Sequence, residues 1–175
     1  MPRHAHPCSL LADVLSYPGA ALAEDAAACA AALAPAHPAA AERLARFAAF
    51  AREVEPSVAE EAYTCAFDVS PLTSPYVGDQ LFGPTRERAL LLSGLRQLQR
   101  QAGVEGGAEL PDHVCEVLRL LAAPLPQEIR DDLAREGLAP AARRMLAVLD
   151  EAHHPWADVL AAVVAVGEAR EEATP

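Results

Sequence analysis

The feature that most constrains this chain is an apolar spacing of three and four residues that recurs in every long segment. Leu44, Phe47, Ala51 and Val54 fall on one face of a helix by this spacing. No stretch alternates apolar and polar residues over the length of a strand. The sequence therefore predicts an all-α fold.

Prolines and glycines divide the pattern into short segments. A proline is tolerated in the first turn of a helix, where its missing N–H would have no partner, and a glycine often ends a helix. The expected helix starts are Pro38, Pro56, Pro111, Pro126, Pro140 and Pro155, and Gly103 is an expected end. We expect one domain over residues 1–175, a bundle of about eight or nine short helices. The termini, about residues 1–7 and 170–175, are expected to be frayed.

Residues 68–84 interrupt the helical pattern with several prolines and glycines. This predicts an irregular loop, and loops of that length in a compact helical domain are often functional. The segment carries Tyr76, Leu81 and Phe82. These side chains either fold back onto the core or form a surface on which a peptide docks.

The charge balance excludes one class of partner. The chain has 25 acidic residues against 14 basic ones, all arginine, for a net charge of −11. A nucleic-acid-binding protein needs a basic surface, so no nucleic-acid partner is expected, and the acidic balance favours a cationic one. The cysteines occur singly with no Cys-x-x-Cys pair, so each is expected to act as a small core side chain.

The N-terminus has no apolar stretch of signal-peptide length, and no window of the sequence reaches the length of a membrane span. We therefore expect a cytoplasmic protein that does not insert into a membrane.

Enzyme signatures are missing from the sequence. It contains no Gly-x-Gly-x-x-Gly, no Walker loop and no Gly-x-Ser-x-Gly. His4, His6 and Cys8 are metal-ligand types, but they lie in the terminus expected to be mobile, and His153-His154 is expected to face solvent. We predict no catalytic residue, no metal site and no cofactor.

The pair Asp112-His113 has two interpretations. Both residues lie in the first turn of the helix that Pro111 is expected to open, where the helix dipole favours a carboxylate such as Asp112. Alternatively, the pair lines a cleft and holds a ligand or a peptide. The residues by themselves do not decide between the two.

Three stretches in a fixed order carry a family resemblance. They read Tyr-Thr-Cys-Ala-Phe-Asp at 63–68, Leu-Phe-Gly-Pro-Thr-Arg-Glu-Arg at 81–88 and Glu-Leu-Pro-Asp-His at 109–113. The opening from Leu10 to Pro18 is similar as well. Over roughly residues 10–123, the chain resembles the nitrate reductase assembly chaperones, the delta-subunit branch of the redox-enzyme maturation chaperones.

The sequence departs from that branch at several positions. Ala89 follows the second arginine, where the branch usually has glycine, and Gly78 stands where a sister branch serving exported reductases favours an aromatic residue. The usual Leu-Glu-Phe-Leu appears as Leu-Arg-Leu-Leu at 118–121. These departures bear on which enzyme is served rather than on the family.

The resemblance implies a helical chaperone without catalytic activity. Such a protein binds the N-terminal segment of an apo molybdoenzyme catalytic subunit, most directly the nitrate reductase alpha subunit, and holds it for molybdenum cofactor insertion. The residues expected to bind this client are Tyr63, Phe67, Asp68, Tyr76, Leu81, Phe82, Arg86, Pro111, Asp112 and His113. We predict that Asp68, Asp112 and His113 meet at one groove and that the two aspartates form an acidic rim for a basic, apolar peptide.

Three other hypotheses remain. One is a chaperone for a different exported molybdoenzyme. Another is a small helical enzyme or metal-binding protein that uses His113 and Cys115, and the third is a regulatory helical adaptor of unrelated ancestry. A monomer and a dimer are both compatible with the sequence.

Overall fold

The computed structural model describes residues 6–169, and the regular elements in that range are all helical. The α-helices are α1 (Pro7–Val14), α2 (Leu22–Leu33), α3 (Pro38–Glu53), α4 (Pro56–Phe67), α5 (Val77–Phe82), α6 (Arg86–Ala102), α7 (Val114–Leu121), α8 (Gln127–Asp132), α9 (Ala139–Glu151) and α10 (Ala157–Glu168). Because α8 continues through a π-helical segment, Leu133–Leu138, into α9, residues 6–169 form nine separate helices. The predicted all-α bundle of eight or nine helices is confirmed.

Three of the predicted helix boundaries are confirmed, and Pro126 and Pro155 lie one and two residues before the starts of α8 and α10. The expected helix start at Pro140 is wrong, because this residue lies inside the continuous helical run that joins α8 to α9. Pro38 and Pro56 are the first residues of α3 and α4, and Gly103 ends α6 in the left-handed conformation at φ +68°. Pro111 does not open α7, which begins three residues later at Val114. The cause is His113, whose extended backbone (φ −61°, ψ 137°) pairs with Tyr76 before the helix can start.

The π-helical segment has a local cause. Pro140 is the second residue of α9 and lies inside a continuous helical run. A proline there has no N–H to donate, and its ring clashes with the carbonyl of the preceding turn. The backbone widens into a π-turn immediately before it, which relieves that conflict.

The aromatic part of the core gathers around Trp156, whose side chain is fully buried. The ring of Phe47 lies 4.7 Å from that of Trp156, the ring of Tyr63 5.3 Å and the ring of Phe67 6.0 Å, between centroids. These contacts join α3 and α4 to the start of α10, and small alanines and leucines fill most of the remaining core. The result is a fixed position for α4, which carries the first family-like stretch.

Residues 68–84 are more ordered than the sequence predicted. They contain α5, in which Val77 is buried, Leu81 is half-buried against the core and Phe82 is exposed. The expectation of an irregular loop throughout is therefore wrong for 77–82. A helix of six residues is too short to show a periodic apolar pattern.

The predicted frayed termini fall largely outside the described residues, since 1–5 and 170–175 are not described. His6 and Pro7, also expected to be frayed, belong to the start of α1, where His6 Nδ1 accepts a 3.2 Å hydrogen bond from the Cys8 N–H. Among the cysteines, Cys65 is exposed rather than in the core, because it lies off the inward stripe of α4.

Candidate functional site

A cavity of about 250 Å³ collects residues from widely separated parts of the chain. Five of the predicted binding residues line it, namely Tyr63, Phe67, Asp68, Tyr76 and His113. The others that line it are Ser16, Tyr17, Pro75, Glu109, Cys115 and Arg119. We call this space the aromatic cavity, because four aromatic rings and an imidazole line it.

Two backbone hydrogen bonds place the loop against the start of α7. The Val77 N–H donates to the carbonyl of Asp112 at 2.7 Å, and the Val114 N–H donates to the carbonyl of Pro75 at 2.9 Å. Tyr76 and His113, the residues between these bonds, form an isolated antiparallel bridge. Their rings meet edge to face with centroids 5.2 Å apart, so the two expected site residues touch although the chain separates them by 37 positions.

The imidazole of His113 has a defined protonation state. Its Nδ1 accepts a 3.2 Å hydrogen bond from the Cys115 N–H and so caps α7. Burial lowers the pKa of His113 from its ordinary value of 6.5, with nearby Glu109 opposing that shift. The ring is therefore neutral at pH 7, and because Nδ1 is an acceptor, the proton lies on Nε2.

Tyr76 is held from two sides. Its hydroxyl donates a 2.7 Å hydrogen bond to Oε2 of Glu109, and the guanidinium carbon of Arg88 lies 5.5 Å from its ring centroid. Burial and the bond to Glu109 raise the pKa of Tyr76 to about 12, so it remains a hydroxyl at neutral pH. Tyr76 thus links the loop to the connector before α7 across one side of the cavity.

The charged side chains around the cavity differ in whether the protein supplies a partner for them. Arg119 donates to Glu116 Oε1 at 2.8 Å and to Ser16 Oγ at 3.1 Å, so its charge is balanced from within the protein. Asp68 and Glu109 are exposed, and neither forms an ion pair within residues 6–169. The open side of the cavity is consequently acidic.

The predicted rim position of Asp112 is wrong. Its side chain is fully buried, with Oδ2 accepting a 3.0 Å hydrogen bond from Arg88 Nε, and it does not line the cavity. Another nitrogen of the same guanidinium, Nη1 of Arg88, pairs with Oδ1 of Asp79 at 3.2 Å. Glu109 occupies the rim instead, and the sequence contained that signal, since Glu109 opens the third family-like stretch.

Four further predicted site residues lie away from the cavity. Pro111 is buried beside Asp112, Leu81 is half-buried, and Phe82 and Arg86 are exposed on and after α5. Tyr17 and Arg119 line the wall as well, although the sequence pattern did not predict them there. Tyr17 had a signal, because it belongs to the family-like opening of the chain, whereas Arg119 appeared only as a departure from the family pattern.

The second and third family-like stretches meet in the buried pair of Arg88 and Asp112, and the first and third meet in the aromatic cavity. A family model described as nitrate reductase delta subunit matches residues 30–162, which is 133 of the 175 residues. The chain belongs to the nitrate reductase delta subunit family. This is a family of redox-enzyme maturation chaperones that serve molybdoenzyme assembly.

The matched range of this delta-family chain includes every wall residue of the aromatic cavity except Ser16 and Tyr17. No curated protein matches the chain as a relative. Within residues 6–169, no helix of the delta-family chain is both long and apolar enough to cross a membrane.

The alternative hypothesis of a metal site depends on a group of ligand side chains. Over residues 6–169, no three histidine, cysteine or carboxylate side chains are grouped so that they could hold a metal ion. His4, one of the residues considered in the sequence, lies outside this range. Cys115 is buried, and burial raises the pKa of its thiol to about 12, so it is not a thiolate at pH 7.

Proposed function

We propose that this chain is a dedicated cytoplasmic chaperone that holds the N-terminal segment of an apo molybdoenzyme catalytic subunit in the aromatic cavity. The nitrate reductase alpha subunit is the first candidate for the client, and another exported molybdoenzyme is the second. The chaperone performs no covalent chemistry and keeps the client subunit available for molybdenum cofactor insertion.

The observation that carries this proposal is the combination of aromatic walls with rim carboxylates that form no ion pair within residues 6–169. Tyr17, Tyr63, Phe67 and Tyr76 offer apolar surface to client side chains. Asp68 and Glu109 face the same space without a cation partner within residues 6–169. A peptide with apolar and basic residues satisfies both features at once.

The neutral His113 adds a polar contact to this surface. Its Nε2–H is the ring donor that the cap of α7 does not use. A peptide carbonyl is the kind of acceptor that such a donor pairs with. The net charge of −11 accelerates encounter with a cationic segment, and this attraction weakens as salt screens it.

Isothermal titration tests the proposal with a synthetic peptide of the N-terminal segment of the nitrate reductase catalytic subunit from the same organism. Asp68→Asn and Glu109→Gln should each weaken binding by about two- to fivefold, since each removes one exposed charge contact. Asp132→Asn is the matched control, because Asp132 is exposed on α8 and does not line the cavity. Unchanged affinity in both rim variants would remove the basis for this site.

Asp112→Asn distinguishes the buried pair from the rim. Because Asp112 is fully buried against Arg88, this variant should lose stability and keep its peptide affinity as long as it is folded. Thermal melts run beside the titrations separate the two effects. A loss of affinity without a loss of stability would place Asp112 in direct contact with the client.

A further inference from the structure

A buried carboxylate lies next to the aromatic cavity without lining it. The side chain of Glu116, on α7, is only 3% exposed. Its two oxygens accept three hydrogen bonds, which come from three different parts of the chain. A charge buried to this degree is costly unless it is paired. The partners of Glu116 therefore indicate what it holds in place.

The first partner is Arg119, a wall residue of the cavity. Its Nη1 donates to Oε1 of Glu116 at 2.8 Å, and its Nη2 donates to Oγ of Ser16, another wall residue, at 3.1 Å. The side chain of Arg119 is 40% exposed. The pair is thus asymmetric, because a buried carboxylate fixes a guanidinium that lies at the surface of the cavity.

The other partners of Glu116 tie it to α6 and to the connector between α6 and α7. Its Oε2 accepts from the Gly107 N–H at 3.3 Å and from Nε2 of the buried Gln99 at 3.4 Å. The connector passes so close that a Cβ at Gly107 would lie 2.8 Å from Oε1 of Glu116. Two residues further on, the connector carries Glu109, so Glu116 anchors the segment that presents this rim carboxylate.

The pair with Glu116 also decides how acidic the cavity is. Arg119 lines the same space as Asp68 and Glu109, and these two carboxylates form no ion pair within residues 6–169. The planar fork of an arginine pairs readily with a carboxylate. Without Glu116, Arg119 would therefore compete with a cationic ligand for Asp68 and Glu109.

We propose that Glu116 is a positioning residue for client binding, which keeps Arg119 away from the rim carboxylates and holds the connector that carries Glu109. This inference rests on the proposed function and assigns a role to a residue that the client does not touch. Glu116 acts through Arg119 and Gly107, and its effect is to keep the cavity acidic towards a cationic ligand.

Glu116→Gln tests this role with two peptides. Glutamine retains an oxygen that can accept from the Gly107 N–H, but it lacks the charge that holds Arg119. In isothermal titration, the nitrate reductase peptide described above should bind this variant about two- to fivefold more weakly than the unaltered protein. A neutral analogue of that peptide, with citrulline for arginine and glutamine for lysine, should bind both proteins equally. A merely structural role of Glu116 would weaken both peptides alike.

Arg119→Gln is a second, independent variant. Because the cavity then loses a cation and Glu116 stays, the cationic peptide should bind up to about twofold more tightly. Combined with Glu116→Gln, the same change should restore the affinity that Glu116→Gln loses, since no guanidinium remains to compete. Thermal melts show whether each variant is folded at the temperature of the titration.

Glu168→Gln is the matched control for Glu116→Gln. It also removes a glutamate that pairs with an arginine, Arg143, and it changes the net charge by the same amount. Neither Glu168 nor Arg143 lines the aromatic cavity. This variant should therefore leave the affinities for both peptides unaltered.

The outcomes separate this inference from the proposed function. Selective weakening of the cationic peptide by Glu116→Gln, with recovery in the double variant, supports the inference. An equal loss for both peptides, no loss, or a loss that persists in the double variant overturns it, and the proposed function stands as long as Asp68→Asn weakens the cationic peptide. If none of Asp68→Asn, Glu109→Gln and Glu116→Gln alters affinity, both proposals fail.

Arg119→Gln keeps the inference testable even if Glu116→Gln does not fold. Tighter binding of the cationic peptide by Arg119→Gln supports the view that Arg119 opposes the client. Weaker binding would mean that Arg119 itself contacts the client, which would overturn the role given to Glu116.

Discussion

The Nε atom of Arg88 donates a 3.0 Å hydrogen bond to Oδ2 of Asp112, a carboxylate with no solvent exposure. Arg88 belongs to the second family-like stretch and Asp112 to the third, so this pair joins α6 to the start of α7. Removing one member of a buried ion pair leaves the other charge buried without compensation, which is strongly destabilising. The pair therefore fixes the segment that presents His113.

Arg88→Met should lower the free energy of unfolding by about 2–4 kcal/mol, because the Asp112 carboxylate loses its charge partner inside the protein. Asp79→Asn is the control, since Asp79 is the more exposed partner of Arg88 and should cost less than about 1 kcal/mol. Urea denaturation of both variants measures the difference. Similar small losses in the two would contradict the role given to the buried pair.

Gly78→Ala should destabilise the protein by about 1–3 kcal/mol through overpacking. A Cβ at Gly78 would lie 2.6 Å from Oδ2 of Asp112 and 3.1 Å from side-chain carbons of Arg88 and Leu91. Gly94→Ala on α6 meets no atom within 4 Å and should instead stabilise by up to about 1 kcal/mol, since alanine favours the helix. Thermal unfolding of the two variants should show shifts of opposite sign.

Leu95→Ala should lower the free energy of unfolding by about 2–5 kcal/mol, because the side chain is only 2% exposed and its loss leaves a cavity. Leu90→Ala on the same helix is the control, since Leu90 is 63% exposed and should change stability by less than about 0.5 kcal/mol. Chemical denaturation compares the two. Equal effects would mean that α6 does not pack through the face that carries Leu95.

Stability should fall as the pH decreases below about 6.5, partly because of His113. Burial lowers its pKa in the folded protein below the ordinary 6.5, so the unfolded chain binds the proton first. By linkage, the contribution of the neutral ring is present above pH 6.5 and is lost as the pH falls towards the folded pKa, with a slope of at most about 1.4 kcal/mol per pH unit.

His113→Asn should flatten this pH dependence, because asparagine caps a helix and does not titrate. A second histidine contributes in the same way, because His154 is half-buried rather than facing solvent as expected. Its Nδ1 accepts a 3.3 Å hydrogen bond from the Trp156 N–H, and burial lowers the pKa of His154 from its ordinary value. The double variant with His154→Asn should therefore be flatter still. Denaturant titrations between pH 5.5 and 7.5 test this, and unaltered slopes in both variants would contradict it.

The helices could be predicted from local sequence because each one repeats a signal every three or four residues. Pro38 and Pro56 start helices, and Val159, Leu160 and Val163 face inward, as their positions indicated. The short helix α5 offered no such repetition. The start of α7 was misplaced because His113 forms its backbone pairing with Tyr76, a partner that local periodicity does not reveal.

The candidate site, like the fold, has features that the sequence predicted and features that only the tertiary structure decided. The sequence by itself determined the helical class, the family and five of the residues around the aromatic cavity, because each depends on residue identity and short-range spacing. The tertiary structure decided that Asp112 is buried against Arg88, that Glu109 lies on the rim, and that Tyr17 completes the wall from the other end of the chain. Whether a charge meets solvent or a buried partner depends on which distant helices pack against it, and no local pattern carries that information.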